Sequence, residues 1–205
     1  MFGTDPEVDK QARKVKAALY TMMNGPVSTA MRKRGLSYKV NFGVELPRLK
    51  EFAETLPHTH ALAARLWKED IRECRILAGL LQPIESYSPE LAEVWIDTMR
   101  FPEEAECTTM HLFSRMPEAS VCAFRWIASS RPIYEQCGYI LLGRLFMQGS
   151  SLSERDAEEY LDQTATALRS PETAVRLAAQ KALMKYMDLG ESEEKRGEQI
   201  LEAVS

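Results

Sequence analysis

Apolar residues recur at helical spacing along nearly the whole chain. The segment that begins at Ser88-Pro89-Glu90 shows the pattern well, because its apolar and small residues follow the i, i+3, i+4, i+7, i+8 rule for one helix face. These residues are Leu91, Val94, Trp95, Thr98 and Met99. The one stretch that resembles a strand, Val40–Val44, fits a loop better. The pattern predicts an all-α protein.

One start signal, a capping residue followed by proline and an acid, occurs three times. The copies are Asp5-Pro6-Glu7, Ser88-Pro89-Glu90 and Ser170-Pro171-Glu172. Ser153 with Asp156 three residues later resembles a capping box. Stop signals place the end of the first helix near Asn24-Gly25-Pro26 and another helix end at Gly190. Between these signals the spacing predicts helices near 44–56, 58–66, 69–82, 101–116, 118–129, 132–148 and 154–169.

The connections between the predicted helices contain only a few residues, which favours antiparallel packing of consecutive helices. Many contact positions hold alanine, and degenerate repeats of about 40 residues are typical of HEAT-like α-solenoids. We therefore expect stacked antiparallel helix pairs with a concave face. Because no linker interrupts the pattern, residues 1–205 are predicted to form a single domain.

Composition adds little to this picture. The chain is 45% hydrophobic and 27% charged, as is ordinary for a globular protein. No apolar run approaches the ~20 residues of a membrane helix, and the charged first sixteen residues lack the apolar core of a signal peptide. Four cysteines are too few for a disulfide framework in a chain of this length. We expect a cytoplasmic protein that does not bind a membrane.

Charge is distributed unevenly along the chain. Residues 1–82 carry 14 Lys and Arg against 9 Asp and Glu, whereas residues 83–205 carry 12 against 21. A basic first part suits an anionic partner, or complementary packing between the two parts. The acids of the second part, bunched at Glu154, Asp156, Glu158 and Glu159, would repel a duplex. DNA contact, if made, should be weak or confined to one end.

The best candidates for phosphate contacts are Arg32, Lys33 and Arg34, with Lys39 nearby. Three further cations precede them, namely Arg13, Lys14 and Lys16. An ordinary solvated helix end explains the same residues equally well.

Several segments, read in order, resemble the AlkD-type DNA alkylation repair family of HEAT-like repeat proteins, whose active members remove alkylated bases from DNA. The match covers about residues 20–188. The segments that carry it are Gly43–Lys50, Leu66-Trp67, Arg72–Arg75, Ala78–Leu81, Trp95–Met99 and Trp126–Ser130. The resemblance implies a DNA-binding protein, and Trp95 and Arg100 are further candidates for DNA contact. Trp95 lies on an apolar stripe and fits a core position better.

The chain departs from the family where the resemblance places its functional residues. The critical acid of active members aligns with Arg100, about one helical turn beyond Asp97. An expected arginine aligns with Gln136-Cys137, and an expected tryptophan aligns with Lys181. An arginine cannot act as the carboxylate that stabilises a cationic sugar. The resemblance therefore implies a scaffold that has lost base excision.

The sequence is compatible with three functional hypotheses. The first is a DNA-binding repeat protein without glycosylase activity, which holds phosphates and prefers distorted or branched DNA. The second is a scaffold that binds a protein partner in its groove. The net charge of −4 favours this hypothesis. The third is an active alkylpurine glycosylase that uses Asp97 as its catalytic residue.

The sequence contains no recognisable motif for metal binding, phosphate-loop binding or serine-hydrolase catalysis. His58-x-His60 lacks a matched third ligand, so no metal is expected. Phosphate-binding glycine loops and the serine-hydrolase motif do not occur, and no cofactor is expected. The cysteines are best explained by packing.

Overall fold

The computed structural model describes residues 5–204, and the regular secondary structure of these residues is helical. They form twelve α-helices and two short 3-10 helices, and the β contact recorded among them is an isolated parallel bridge between Val40 and Ile71. The prediction of an all-α protein is confirmed, and outside that bridge Val40–Val44 is a loop. None of the helices described is long and apolar enough to cross a membrane.

The chain divides into two compact units, Met1–Tyr87 and Ser88–Ser205. The single domain predicted for residues 1–205 stays a prediction. In the first unit the helices are α1 (Pro6–Thr21), α2 (Gly25–Lys33), α3 (Leu46–Glu54), α4 (His60–Trp67) and α5 (Arg72–Leu81), followed by the 3-10 helix Ile84–Ser86. Helix α5 is almost wholly buried and packs against α3 and α4, and α4 also packs against α1.

The second unit is built around α9. Its helices are α6 (Pro89–Asp97), α7 (Pro102–His111), the 3-10 helix Phe113–Arg115, α8 (Ala119–Ile127), α9 (Pro132–Met147), α10 (Glu154–Ala167), α11 (Thr173–Met187) and α12 (Glu191–Val204). Helix α9 packs against α6, α7, α8 and α11, and α12 packs against α10 and α11. Four buried rings, Tyr139, Phe146, Tyr160 and Tyr186, form an aromatic cluster with centroid distances of 5.3 to 6.5 Å.

Three of the predicted helix starts have the expected side-chain caps. Asp5 accepts a hydrogen bond from the Glu7 amide at 2.9 Å, and the Ser88 and Ser153 hydroxyls accept from the amides three residues later at 3.3 and 3.2 Å. The start predicted at Ser170-Pro171-Glu172 is wrong by two residues. There the Ser170 hydroxyl accepts from the Glu172 amide at 3.2 Å in a turn, and α11 begins only at Thr173.

Two helices, α2 and α12, were not predicted. Helix α1 ends at Thr21, before the predicted stop, and Asn24-Gly25-Pro26 instead starts α2, because the Asn24 side chain accepts from the Val27 amide at 3.3 Å and Pro26 lies in the first turn. Likewise Gly190 ends the preceding turn and α12 follows at once, with three glutamates in its first turn. A stop signal therefore does not show that no helix follows it.

The face that α6 buries agrees only in part with the predicted one, because Trp95 and Met99 are buried as expected but Val94 is not. Ala92, Trp95 and Ile96 are buried, whereas Val94 is 58% exposed. The helix also ends at Asp97, with Thr98 as its C-cap. The predicted helical relation between Asp97 and Arg100 is therefore wrong, because Arg100 lies beyond the helix.

Candidate nucleic-acid interface

The predicted basic cluster lies at the carboxyl end of α2. Arg32 and Lys33 occupy the last turn, and Arg34 is the C-cap residue. The helix ends in a Schellman motif, in which the Gly35 amide donates to the Arg32 carbonyl at 3.0 Å and the Leu36 amide to the Met31 carbonyl at 3.2 Å. Cations near a helix carboxyl terminus are favoured by the helix dipole, which accounts for part of this arrangement without any ligand.

The cations of the cluster are exposed and keep their charge unpaired. Arg32, Lys33, Arg34 and Lys39 are all exposed, and within residues 5–204 none of them has a carboxylate at ion-pair distance. The Arg32 guanidinium donates to the Tyr38 carbonyl at 3.3 Å, which holds that side chain against the following loop. We call these four residues the basic cluster.

The loop that carries Lys39 is anchored to α5 by a buried carboxylate. Glu73 has no exposed surface. Its two oxygens accept from three consecutive loop amides, those of Phe42 at 3.1 Å, Gly43 at 2.9 Å and Val44 at 3.2 Å. The buried Arg72 guanidinium donates to Glu73 at 3.2 Å and to the Val44 carbonyl at 2.8 Å. The charged pair therefore satisfies the polar backbone of a buried loop.

The other side of the loop is joined to α2. The Ser28 hydroxyl donates to the Asn41 carbonyl at 2.7 Å, and the Asn24 amide donates to the Phe42 carbonyl at 2.8 Å. At Gly43 the backbone has φ +75°, and an added Cβ would lie 2.3 Å from the Asn24 carbonyl oxygen. Only glycine permits this close approach. Helix α2 and its basic cluster are therefore fixed to the core of the first unit.

Asp97, the candidate catalytic residue, lies in the second unit and is held by two donors. Its carboxylate accepts from the Arg131 guanidinium at 2.6 Å and from the Tyr134 hydroxyl at 2.8 Å. The Tyr134 hydrogen bond, followed by the Arg131 one, holds the pKa of Asp97 below its usual value. Burial, followed by the hydrogen bond to Asp97, raises the pKa of Tyr134 to about 12. Asp97 is thus a paired, ionised carboxylate at neutral pH.

This arrangement has a structural explanation. Asp97 is the last residue of α6, where the helix dipole disfavours an acid. Arg131 is the N-cap residue of α9, and its guanidinium also lies 4.5 Å from the centre of the Tyr134 ring. The three side chains therefore connect the end of α6 to the start of α9 and offset the unfavourable charge.

We expect Asp97→Asn to lower the free energy of unfolding at pH 7 by less than about 1 kcal/mol, because the side chain is 50% exposed and solvent screens the ion pair. The pKa of Asp97 is lower in the folded state than in the unfolded state. The carboxylate therefore stabilises the fold at neutral pH, and this stabilisation is lost as the pH falls through the folded-state pKa. The difference between variant and parent should shrink from about pH 5 towards pH 3 in urea unfolding. Asp162→Asn, at an exposed acid on α10, is the control. A difference at pH 7 that did not shrink in acid would contradict this account.

Trp95 and Arg100 occupy very different surroundings. Trp95 is 3% exposed and belongs to the core of the second unit. Arg100 is exposed; its guanidinium lies 5.8 Å from the centre of the Phe101 ring, and its backbone amide donates to Glu104 at 2.7 Å. A side chain as buried as Trp95 reaches a ligand only if its helix is displaced.

His58, His60 and two buried cysteines, Cys74 and Cys137, have surroundings that the structure describes. No group of three potential metal ligands occurs within residues 5–204. His60 Nδ1 lies 3.0 Å from Gln82 Oε1, and His58 Nε2 lies 3.2 Å from the Ala53 carbonyl oxygen. Burial raises the pKa of the Cys74 and Cys137 thiols to about 12, far from that of a reactive thiolate.

Comparison with known families and solved structures shows which proteins this chain resembles. Residues 15–189 match the family described as DNA alkylation repair enzyme. The chain belongs to this family. No match is found among curated proteins. A solved structure described as "a new family of proteins related to the HEAT-like repeat DNA glycosylases with affinity for branched DNA structures" superposes with a TM-score of 0.84. It is 17% identical, and the alignment covers 95% of this chain and 83% of that one.

The resemblance and the HEAT-like repeat fold predicted from sequence are therefore confirmed. At the positions where the alkylation repair family is expected to carry its functional residues, this member has other side chains in ordinary structural contacts. Gln136 is buried and donates to the Pro102 carbonyl at 3.2 Å, and Cys137 has no exposed surface. Lys181 is exposed on α11 and lies 3.4 Å from Glu106.

One sequence signal that bears on the candidate interface of this alkylation repair family member was missed. Residues 10–44 contain eight Lys and Arg and no Asp or Glu. The acids that approach this segment come from elsewhere: Glu69 pairs with Lys16 at 2.9 Å, and Asp70 accepts from the Lys39 amide at 3.4 Å. The charge count over residues 1–82 did not reveal this acid-free segment, because acids elsewhere in that range were included. The segment forms most of α1, all of α2 and the anchored loop.

Proposed function

We propose that this member of the DNA alkylation repair family binds DNA through the basic cluster and does not excise bases. One observation carries the proposal. Arg32, Lys33, Arg34 and Lys39 are exposed, unpaired with acids and held on a loop and helix that are fixed to the core. Structural lysines and arginines elsewhere in the same unit, such as Lys16 and Arg65, are paired with Glu69.

Binding of this kind is directed to the phosphate backbone. Cations that neutralise phosphates release condensed counterions, so affinity falls steeply as salt is added and depends little on base sequence. A rigid surface of this kind selects the shape and deformability of DNA. The similar solved structure is described as having affinity for branched DNA, and we propose the same preference for this chain.

The absence of base excision is supported by the residues around α6. The position that aligns with the catalytic acid is Arg100, which cannot supply a carboxylate. Asp97 is the nearby acid, but its charge is already taken up by Arg131 and Tyr134. A carboxylate that must stabilise a developing positive charge should instead face the substrate.

The test is a fluorescence anisotropy titration with plain and branched DNA at low and moderate salt. We expect the triple variant Arg32→Glu, Lys33→Glu, Arg34→Glu to bind at least about tenfold more weakly than the parent. Its salt dependence should be shallower by about one power of salt concentration for each phosphate that is no longer neutralised.

A matched control changes three other exposed cations of the same unit to glutamate, namely Arg48, Lys50 and Lys68. This control has the same net charge as the test variant, so an equal reduction of affinity in both would contradict a specific role for the cluster.

The same samples separate the two alternative functions. No DNA binding even at low salt, together with salt-insensitive capture of one protein, would favour a protein-interaction scaffold. Release of N-alkylated bases that Asp97→Asn abolishes would favour an active glycosylase. Salt-dependent binding without base release is the result that the proposal expects.

A further inference from the structure

We infer that Tyr20 provides a stacking surface for an unpaired base at a DNA branch point. The inference rests on the proposed DNA binding and adds the feature of branched DNA that this surface recognises. Tyr20, the penultimate residue of α1, is 63% exposed, whereas Leu19 beside it has no exposed surface. An aromatic ring presented to solvent is a sequence-tolerant platform, because every base has a face that stacks on it.

The Tyr20 ring packs against a second aromatic residue. Phe42 meets Tyr20 edge to face, with ring centroids 6.3 Å apart and an interplanar angle of 88°. Phe42 is itself fixed at both backbone polar atoms: its amide donates to Glu73 at 3.1 Å, and its carbonyl accepts from the Asn24 amide at 2.8 Å. The platform is therefore preorganised, which reduces the entropy lost when a base stacks on it.

Charge around the platform is complementary to a nucleic-acid strand. Tyr20 and Arg13 are seven residues apart and share one face of α1, about 10 Å apart along the helix axis. Arg13 is exposed and has no carboxylate at ion-pair distance within residues 5–204. Both residues belong to the acid-free segment 10–44. A protein partner with an apolar anchor would not need this excess of unpaired cations.

The platform and the basic cluster lie at opposite ends of one short helix. The Phe42 carbonyl is bonded at the start of α2, and the Tyr38 carbonyl accepts from Arg32 at its end. The nine residues of α2 span about 13 Å, the length of about four nucleotides of a stacked strand. A duplex arm held by the cluster thus leaves an unpaired base within reach of Tyr20, whereas a blunt duplex has no such base.

The test compares a forked duplex that carries oligothymidine arms with a blunt duplex of equal length. We expect Tyr20→Ala to bind the fork about tenfold more weakly and the blunt duplex within about twofold of the parent. Tyr20→Trp should retain the fork preference. Because all three tryptophans are buried, the new exposed indole should report stacking as fluorescence quenching by the fork and not by the blunt duplex.

Val121→Ala, which removes another exposed apolar side chain in the second unit, is the control and should match the parent. Unchanged fork binding by Tyr20→Ala, or equal weakening on fork and blunt duplex, would overturn the stacking surface while leaving the basic cluster in place. No binding of either DNA by the parent protein would overturn both proposals together.

Discussion

Replacing Gly43 by alanine should destabilise the first unit by about 4 kcal/mol, measured as the free energy of unfolding in urea. Part of this arises because an L-residue is strained at φ +75°. The larger part arises because the new Cβ would lie 2.3 Å from the Asn24 carbonyl oxygen and 2.6 Å from the Ser28 amide nitrogen, and both are backbone atoms. The clash can be relieved only by moving α2 away from its loop.

Gly35→Ala is the matched control for Gly43→Ala. Its backbone has φ +93°, but an added Cβ meets no atom within 4 Å. It should therefore show the backbone strain alone, roughly 1–2 kcal/mol. Equal destabilisation by the two variants would show that close packing of α2 against the loop contributes nothing. A smaller effect of about 1 kcal/mol at Gly43 would mean that α2 shifts at little cost.

The consequences for DNA binding differ between the two variants. Gly43→Ala acts on the packing that fixes α2, so the surviving folded protein should bind DNA more weakly if the position of the cluster matters. Gly35→Ala acts at the end of α2 and leaves that packing intact. Anisotropy titrations of both, under conditions where each is folded, distinguish a positioned cluster from a merely basic surface.

Local signals in the sequence predicted most of the helices but not the contacts that join them. The caps at Asp5, Ser88 and Ser153 were predictable because each hydrogen bond spans only two or three residues. Helix α2 was missed because Asn24-Gly25-Pro26 was interpreted as the end of α1, whereas α1 ends at Thr21 and Asn24 caps the start of α2. Asparagine, glycine and proline are common at both ends of helices, so this triplet alone does not show which end it marks.

The candidate sites depended on contacts between residues far apart in the chain. Asp97 is paired with Arg131, 34 residues later, so no local pattern could show that its charge is already balanced. The same holds for the loop: the backbone amides of Phe42 and Gly43 donate to the Glu73 carboxylate, which lies about 30 residues later in the chain. The cations of the basic cluster, in contrast, were visible in the sequence, because exposure and lack of a partner are the ordinary state of lysine and arginine.

Removing the carboxylate of Glu73 should have an effect as large as that of Gly43→Ala. Glu73→Gln should lower the free energy of unfolding by about 3–5 kcal/mol, because it removes the buried carboxylate that pairs with the Arg72 guanidinium and turns an amide donor towards the backbone donors of the loop. Glu45→Gln, at an exposed glutamate whose side chain makes no capping bond, is the control and should change stability by less than about 0.5 kcal/mol.

A double variant separates the two roles of Glu73, as partner of Arg72 and as acceptor for the loop. If the ion pair were the main contribution, Arg72→Met combined with Glu73→Leu would recover most of the stability, since buried ion pairs can often be replaced by apolar residues. The amides of Phe42 and Val44, however, lose their acceptor in that variant as well, whereas the Gly43 amide keeps the Asn41 side-chain oxygen at 2.8 Å. We therefore expect the double variant to remain destabilised by at least about 2 kcal/mol, since orphaned buried amides keep their desolvation penalty. Near-parental stability would show that the loop finds other acceptors and that Glu73 serves only to balance Arg72.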